Sequence, residues 1–161
     1  MGAATNWFEN QLVDIFFRGQ NATINAKTLT WSVAPTMYVA LYTVSPDDTS
    51  TSNSGTGTEC TGGSYARVSI ACALTNWAGT QGATATTAST GTGGTTSNLV
   101  IITFPTPTAG WGTVVAFALC DVASGAGNMF YWGTLTTSKV INSGDQAPVF
   151  NVNALSIQVD N

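Results

Sequence analysis

The fold class follows from the stretch Met37-Tyr38-Val39-Ala40-Leu41-Tyr42, in which apolar and aromatic side chains alternate between two faces. Such an uninterrupted run at period two predicts a β-strand that is buried on both sides. The stretch from Ala66 to Cys72 alternates apolar residues with Arg67 and Ser69, which is typical of a strand with one dry face and one wetter face. Further stretches rich in β-branched or aromatic residues predict strands at 99–104, 113–121, 128–135, 139–142 and 154–159.

Together these strands predict an all-β protein, an antiparallel β-sandwich over residues 37–161. A chain of 161 residues suits one hydrophobic core, so we expect a single domain spanning residues 1–161. The glycine-rich stretch 122–128 predicts a hairpin loop between antiparallel neighbours, and a similar turn is expected after residue 135. Two inserts, 46–63 and 75–98, are too poor in apolar residues to hold a core and are expected to be exposed loops.

A short helix is predicted before the sandwich, over residues 5–19. Asn6-Trp7-Phe8-Glu9 has the form of a capping box, and Gly19 suits a left-handed helix stop. The apolar residues at helical spacing are Phe8, Leu12, Ile15 and Phe16. Because a helix of about three turns is marginal alone, its apolar stripe must pack either on its own domain or on a neighbouring subunit.

Composition restricts the partners. Four Lys and Arg against eight Asp and Glu give a net charge of -4, which cannot attract phosphate backbones or anionic lipids, so we expect no nucleic-acid and no membrane partner. The sequence has neither a recognisable secretion signal nor an apolar run of the roughly 20 residues that span a bilayer, so we expect a protein that stays in the cytoplasm or leaves it without a signal. The three cysteines, Cys60, Cys72 and Cys120, cannot all pair, which favours a reduced compartment.

The residues that catalysis most often needs are missing. The sequence contains no histidine, which removes the commonest general base and the usual zinc ligands. Asp121 and Asp145 stand beside glycine-rich turns, where aspartate usually bonds nearby amides, and Asp47-Asp48 lacks the repeated ligands of a calcium loop. We therefore predict no catalytic residue, no cofactor, no metal site and no enzymatic activity.

Short motifs recur in order through most of the chain. They are Tyr38-Val39-Ala40-Leu41-Tyr42-Thr43 with Ser45-Pro46, Gly62-Gly63-Ser64-Tyr65-Ala66-Arg67, Phe104-Pro105, Trp111-Gly112-Thr113-Val114, Asp121, Leu135-Thr136-Thr137-Ser138-Lys139 and Gly144-Asp145. This order and spacing resemble a family of small virion proteins of tailed bacteriophages, known as head decoration (cement) proteins or tail fibre proteins. The chain departs from the family at Ala116-Phe117-Ala118, where members often carry a His and a Gly, and in its longer loops.

The resemblance implies a jelly-roll-like sandwich that coats the capsid and stabilises the shell of the major capsid protein. Its partners are then the major capsid protein and copies of itself, as a dimer or trimer, on a virion assembled in the host cytoplasm. A tail or tail-fibre component is the alternative. A carbohydrate-binding module follows from fold analogy alone, and a lytic enzyme would need two converging carboxylates.

Three aromatic residues are the candidate contact surface for such a partner. Trp7 and Phe8 stand in the N-terminal segment, and Trp77 stands in the second long insert. The alternative for all three is packing in the core. We expect Trp111 and Trp132, which are flanked by glycines at strand ends, to lie in the core.

Overall fold

The computed structural model describes residues 4–52 and 54–159. Within them the chain forms one helix and eleven strands. The elements are α1 (Asn6–Phe16), β1 (Ala22–Ile24), β2 (Lys27–Leu29), β3 (Thr36–Val44), β4 (Thr58–Glu59), β5 (Val68–Ala71), β6 (Thr95–Ser97), β7 (Ile102–Thr103), β8 (Gly112–Cys120), β9 (Met129–Ile141), β10 (Val149–Phe150) and β11 (Ser156–Gln158). The all-β class with one short N-terminal helix is confirmed, whereas the stacking of a jelly-roll sandwich stays a prediction.

The chain divides into two compact units, each assembled from separate stretches of sequence. Unit 1 takes Met1–Pro35, Ala71–Ile102 and Phe150–Asn161, and unit 2 takes Thr36–Ile70 and Thr103–Val149. The helix α1 belongs to unit 1, and the long strands β3, β8 and β9 belong to unit 2. The single domain expected over residues 1–161 stays a prediction.

Unit 2 is built on an antiparallel sheet in the order β4-β3-β8-β9, with β5 also paired to β3. Strands β3 and β8 lie in its middle, where Val39 pairs with Leu119 and Ala40 pairs with Ala118. All four of these residues have no exposed surface, although successive residues point to opposite faces of the sheet. The two-sided burial predicted from Met37 to Tyr42 is therefore confirmed.

Strand β9 corrects the prediction of two strands separated by a turn. Met129–Ile141 runs as one strand of 13 residues along β8. The register shifts in its middle, because Ala116 pairs with Thr134 whereas Val114 pairs with Lys139, so residues 135–138 bulge opposite a single β8 residue. The polar residues Thr136, Thr137 and Ser138, which suggested a turn, lie in this bulge instead.

The hairpin loop predicted at 122–128 is confirmed, and it joins β8 to β9. The Asp121 carboxylate accepts hydrogen bonds from the Asn128 backbone N–H and side-chain Nδ2, both at 2.7 Å. Asp121 is thus the turn-forming residue that the sequence predicted.

Two short strand pairs in unit 1 differ from the prediction. Strands β1 and β2 form a hairpin that the sequence analysis missed, closed by Asn25 and Ala26 at φ of 50° and 57°. Positive φ at both central residues is the geometry of a tight hairpin turn. Strands β6 and β11 also pair antiparallel, and the strand predicted at 154–159 shortens to Ser156–Gln158.

The strand predicted at 99–104 also shortens, to Ile102–Thr103, because a buried asparagine takes over the local backbone hydrogen bonds. Asn98 donates from Nδ2 to the carbonyl oxygens of Val100 and Asn151, both at 2.8 Å. Its Oδ1 accepts from the Leu155 N–H at 2.9 Å. One side chain satisfies groups that a strand ladder would otherwise pair.

Candidate interaction surface

The helix α1 begins one residue before the predicted cap. Thr5, not Asn6, is the N-cap: its backbone is extended, and its hydroxyl accepts a hydrogen bond from the Phe8 N–H at 3.4 Å. The helix ends at Phe16 rather than at residue 19. Gly19 does adopt the expected left-handed conformation, with φ of 62°.

The buried side of α1 carries both of its acidic residues beside Val13 and Ile15, so Ile15 is the one residue of the predicted apolar stripe that is buried. Asp14 is 6% exposed and pairs with Arg18, which is fully buried, at 2.7 Å. The Asp14 carboxylate also accepts from the Ser89 N–H at 2.8 Å and from its hydroxyl at 2.6 Å. The Arg18 guanidinium further donates to the carbonyl oxygens of Trp77 and Ala85.

A second polar residue on the same side of the helix, Asn10, forms hydrogen bonds with the segment 75–98. Asn10 donates from Nδ2 to the Gly91 carbonyl at 3.1 Å, and its Oδ1 accepts from the Thr80 hydroxyl. The segment 75–98 is rich in hydroxyl and backbone groups that need partners, so it packs on the polar side of α1. This segment is exposed over 81–84 and 86–88, as its composition predicted, whereas Trp77, Ser89 and Asn98 are buried in unit 1.

The other residues of the predicted apolar stripe are left wholly or partly at the surface. Phe8, Leu12 and Phe16 follow one another at intervals of four residues and so lie along one side of the helix. Trp7 is 54% exposed, Phe8 36% and Phe16 41%. Trp31, 40% exposed, extends this side: its ring meets Phe16 edge-on at 6.4 Å, and its indole N–H donates to the Ile15 carbonyl at 2.8 Å.

We call the four exposed aromatic residues, Trp7, Phe8, Phe16 and Trp31, the helix surface. An aromatic side chain covers about 150–250 Å², so the exposed fractions amount to roughly 350 Å² of aromatic surface. Patches of this size on a soluble protein commonly mark a binding site. The two acidic residues of α1, Glu9 and Asp14, are buried, so the helix itself brings no charge to the helix surface.

Trp77 does not belong to the helix surface. Its side chain is fully buried in unit 1, and its ring meets Phe17 edge-on at 5.2 Å. This corrects the expectation that the insert presents Trp77 to a partner, because a core position in unit 1 gains more from an indole ring than an exposed position does. Trp111, at 4% exposure, is in the core as predicted, whereas the prediction for Trp132 is wrong, since 39% of it is exposed.

The family-motif residues of the sequence lie together in unit 2, where several of them hold loops in place. Arg67 forms a forked ion pair with Glu59, with Nε–Oε1 at 2.8 Å and Nη2–Oε2 at 2.7 Å. The same guanidinium donates to the carbonyl oxygens of Ser52, Val122 and Gly125. Every nitrogen of Arg67 is thus engaged within unit 2.

Tyr65 links this pair to an aromatic cluster. Its hydroxyl donates to Glu59 Oε1 and accepts from the Leu41 N–H, both at 2.9 Å. Its ring stacks on Phe104 at 6.5 Å and meets Trp111 edge-on at 5.2 Å. The Trp111 indole N–H donates to the Gly63 carbonyl at 3.0 Å.

The remaining motif residues sit at turns and strand positions. Gly112 and Gly144 have positive φ, at 90° and 81°, which glycine adopts without strain. Asp145 accepts from the Asn142 N–H at 2.8 Å, as expected of a turn residue. Lys139 is exposed on β9. These contacts indicate that the motif stabilises unit 2.

The thiol groups of the chain lie inside the fold. The three cysteines are buried, and burial raises the pKa of Cys60 to about 12 and of Cys120 to about 11. Among residues 4–52 and 54–159, no group of three or more Cys, Asp and Glu side chains could hold a metal ion. The helix in this part of the chain is also too short and too polar to span a membrane.

Comparison with known families decides the identity. The family described as Podophage GP4 fiber I protein gp80 matches residues 3–158. The chain belongs to this gp80 family. It is therefore a structural protein of a tailed phage, which confirms the coarser part of the resemblance seen in the sequence. A search of curated proteins found no similar sequence.

Proposed function

We propose that this member of the gp80 family is a fibre component of the virion that works by non-covalent association, without catalysis. The helix surface supports this proposal most directly. It exposes four aromatic side chains on a helix whose charged residues are all buried. A partner that covers them gains apolar burial without having to desolvate a charge.

The state of the acidic residues supports a non-catalytic role. Glu59 is paired with Arg67, Asp121 with the Asn128 amides, and Asp145 with the Asn142 N–H. Each of these carboxylates fixes a loop or a turn of unit 2. A carboxylate engaged in this way holds the local backbone in place, because its oxygens are occupied by donors of the same unit.

Capsid decoration is the second candidate, with the major capsid protein as the partner. It is favoured by the order of the motifs from Tyr38 to Asp145, which resembles that of decoration proteins. A net charge of only -4 also allows many copies to pack closely on a shell. The helix surface serves either location, since it requires only an apolar protein partner. The carbohydrate-binding alternative stays a prediction.

Particle incorporation tests the proposal. A phage that lacks the gene is complemented with the wild-type chain or with Trp7→Ala/Phe8→Ala, and copies per virion are counted by quantitative mass spectrometry. We expect the double variant to be incorporated at least tenfold less. Antibody labelling of wild-type particles is expected at the fibres, and labelling confined to the shell would favour the capsid candidate instead.

Ile101→Ala is the matched control, because Ile101 is 58% exposed and lies outside the helix surface. It is expected to be incorporated like the wild-type chain. Equal incorporation of the double variant and the wild type would contradict the role of the helix surface. Absence of the wild-type protein from purified particles would contradict the proposed function altogether.

A further inference from the structure

Glu9 is a buried carboxylate without a partner in the described part of the chain. It is 6% exposed in unit 1, and its Oε2 is enclosed and accepts no hydrogen bond. No Lys or Arg of the described residues forms an ion pair with it. Its place in the first turn of α1 offsets only part of the cost of burying the charge, because the helix dipole is weaker than desolvation. The fold therefore leaves Glu9 in need of a cation.

The Glu9 carboxylate lies beside the helix surface. On its inner side, a Cβ at Gly94 would lie 3.0 Å from Oε2, so glycine lets the carboxylate pack closely against the backbone of the segment 75–98. On its outer side, Leu12 and Phe16 follow Glu9 by three and seven residues and so lie along the same side of α1. The 6% of Glu9 that stays exposed keeps this place in contact with the outside.

The chain has a free cation in the same unit. Both of its arginines form ion pairs with acidic residues of their own units, and its two lysines, Lys27 and Lys139, are exposed and form no ion pair within the described residues. Lys27 is in unit 1 with Glu9, whereas Lys139 is in unit 2. Every residue from 25 to 34 is exposed, and we call residues 27–33 the arm.

The arm is apolar apart from its lysine and its hydroxyl residues. Leu29 is 48% and Val33 79% exposed, and they stand two residues to either side of Trp31. Because the Trp31 ring packs on Phe16, the arm and the helix surface form one continuous patch. This patch thus carries an unpaired cation at one place and an unpaired carboxylate at another.

We infer that the helix surface is covered by the arm of a second copy of the chain, with Lys27 of each copy paired to Glu9 of the other. The same patch is used on both copies, so the pair closes about a two-fold axis. Lysine suits a recessed carboxylate, because its ammonium stands at the end of a long, flexible stem. The fold has already removed Glu9 from water, so the association desolvates only the lysine. The inference rests on the proposed function, because it names the occupant of the helix surface.

The size of the patch sets the expected affinity. Leu29 and Val33 add to the roughly 350 Å² of aromatic surface, yet the patch stays below the 800 Å² or so per partner of a standard interface. The two ion pairs lie among apolar side chains, where a pair of charges interacts more strongly than in water. We therefore expect a dimer of micromolar affinity, which high local copy number would reinforce.

Sedimentation of the purified full chain over a range of concentrations tests the inference without the phage. We expect a monomer–dimer equilibrium that Glu9→Gln and Lys27→Met each weaken at least tenfold. Because the two residues pair with each other, the double variant should weaken the dimer no more than either single change does. Asp48→Asn and Lys139→Met are the matched controls. They make the same changes of charge at exposed positions of unit 2 and are expected to leave the dimer unchanged.

Melting temperatures separate pairing from folding. Lys27 is exposed, so Lys27→Met is expected to melt like the wild type and tests the dimer even if Glu9→Gln folds poorly. Glu9→Gln should leave the melting temperature of the monomer unchanged or raise it, because it removes a buried charge that has no partner. A lower melting temperature together with an unchanged dimer would show that Glu9 serves the helix, and would overturn the inference.

Carbodiimide cross-linking locates the pairing, because this reagent joins a carboxylate to a lysine amine without a spacer. In a mixture of unlabelled and isotope-labelled chains, mass spectrometry should find Glu9 of one copy linked to Lys27 of the other. A wild-type chain that stays monomeric at about 1 mM, a dimer that survives both single variants, or links between copies through Lys139 alone would each overturn the inference.

The inference and the proposed function fail separately. A monomeric chain whose Trp7→Ala/Phe8→Ala variant is still lost from particles would overturn the inference and leave the proposed function standing. A dimer that forms in solution through Glu9 and Lys27, from a chain that is absent from purified particles, would overturn the proposed function alone.

Discussion

Arg67 and Glu59 in unit 2 are joined by two parallel hydrogen bonds of 2.8 and 2.7 Å, and the Arg67 side chain is only 2% exposed. Lysine cannot reproduce this fork or the bonds to three carbonyl oxygens. We expect Arg67→Lys to lower the free energy of unfolding by about 3 kcal/mol, since breaking a buried pair leaves its partners unsatisfied. Urea unfolding measures the change. Lys139→Ala, at an exposed cation, should change stability by less than about 0.5 kcal/mol, and an equal loss in both variants would contradict this account of Arg67.

The helix cap can be assigned by two substitutions at adjacent positions. The Thr5 hydroxyl accepts a hydrogen bond from the Phe8 N–H. Thr5→Ala should therefore lower the free energy of unfolding by about 1 kcal/mol. Asn6→Ala should cost much less, since Asn6 is already inside the helix. Thermal unfolding of both variants decides the point. A larger effect at Asn6 would restore the capping box that the sequence predicted.

Two tryptophans separate stability from binding. Trp77→Ala removes a fully buried ring, and the expected loss is about 3–5 kcal/mol in free energy of unfolding. Trp7→Ala removes a ring that is 54% exposed and should lower stability by less than about 1 kcal/mol. Chemical denaturation of the two variants checks both values. Similar losses would mean that Trp7 supports the fold and not a partner.

Asp47 provides a pH-dependent test in unit 2. Hydrogen bonds from the Thr56 and Thr49 hydroxyls and the Thr49 N–H lower its pKa from 3.8 to about 2. A lowered folded-state pKa stabilises the fold above the ordinary value, and this contribution is lost as the pH falls from 3.8 through about 2. NMR titration should place the Asp47 midpoint near 2, and Thr56→Val should move it upward. An unchanged midpoint in Thr56→Val would show that this hydroxyl does not set the pKa.

The central strands could be predicted because their apolar residues follow a period of two in the sequence. From Met37 to Tyr42 each side chain is apolar or aromatic. Both faces of the strand are therefore buried whichever elements pack against it. The loop at 122–128 and the turn role of Asp121 could also be predicted. Both depend only on nearby residues, because glycine and aspartate act on neighbouring backbone groups.

The orientation of α1 could not be predicted, because it depends on a segment far away in sequence. Hydrophobic periodicity favours burying Phe8 and Phe16. The polar segment 75–98 instead needs Asp14 and Asn10 as hydrogen-bond partners, which leaves Phe8 and Phe16 exposed. Trp77 was misplaced for the same reason, since the low apolar content of its segment concealed a core position. The bulge in β9 likewise depends on register with β8, which the sequence of β9 alone does not contain.

A high-resolution reconstruction of the intact virion tests the central claim most directly. The account predicts this chain in the fibres, with Trp7, Phe8 and Phe16 covered by a neighbouring virion protein. A reconstruction in which these side chains face solvent, or in which the chain is absent from the particle, would contradict it.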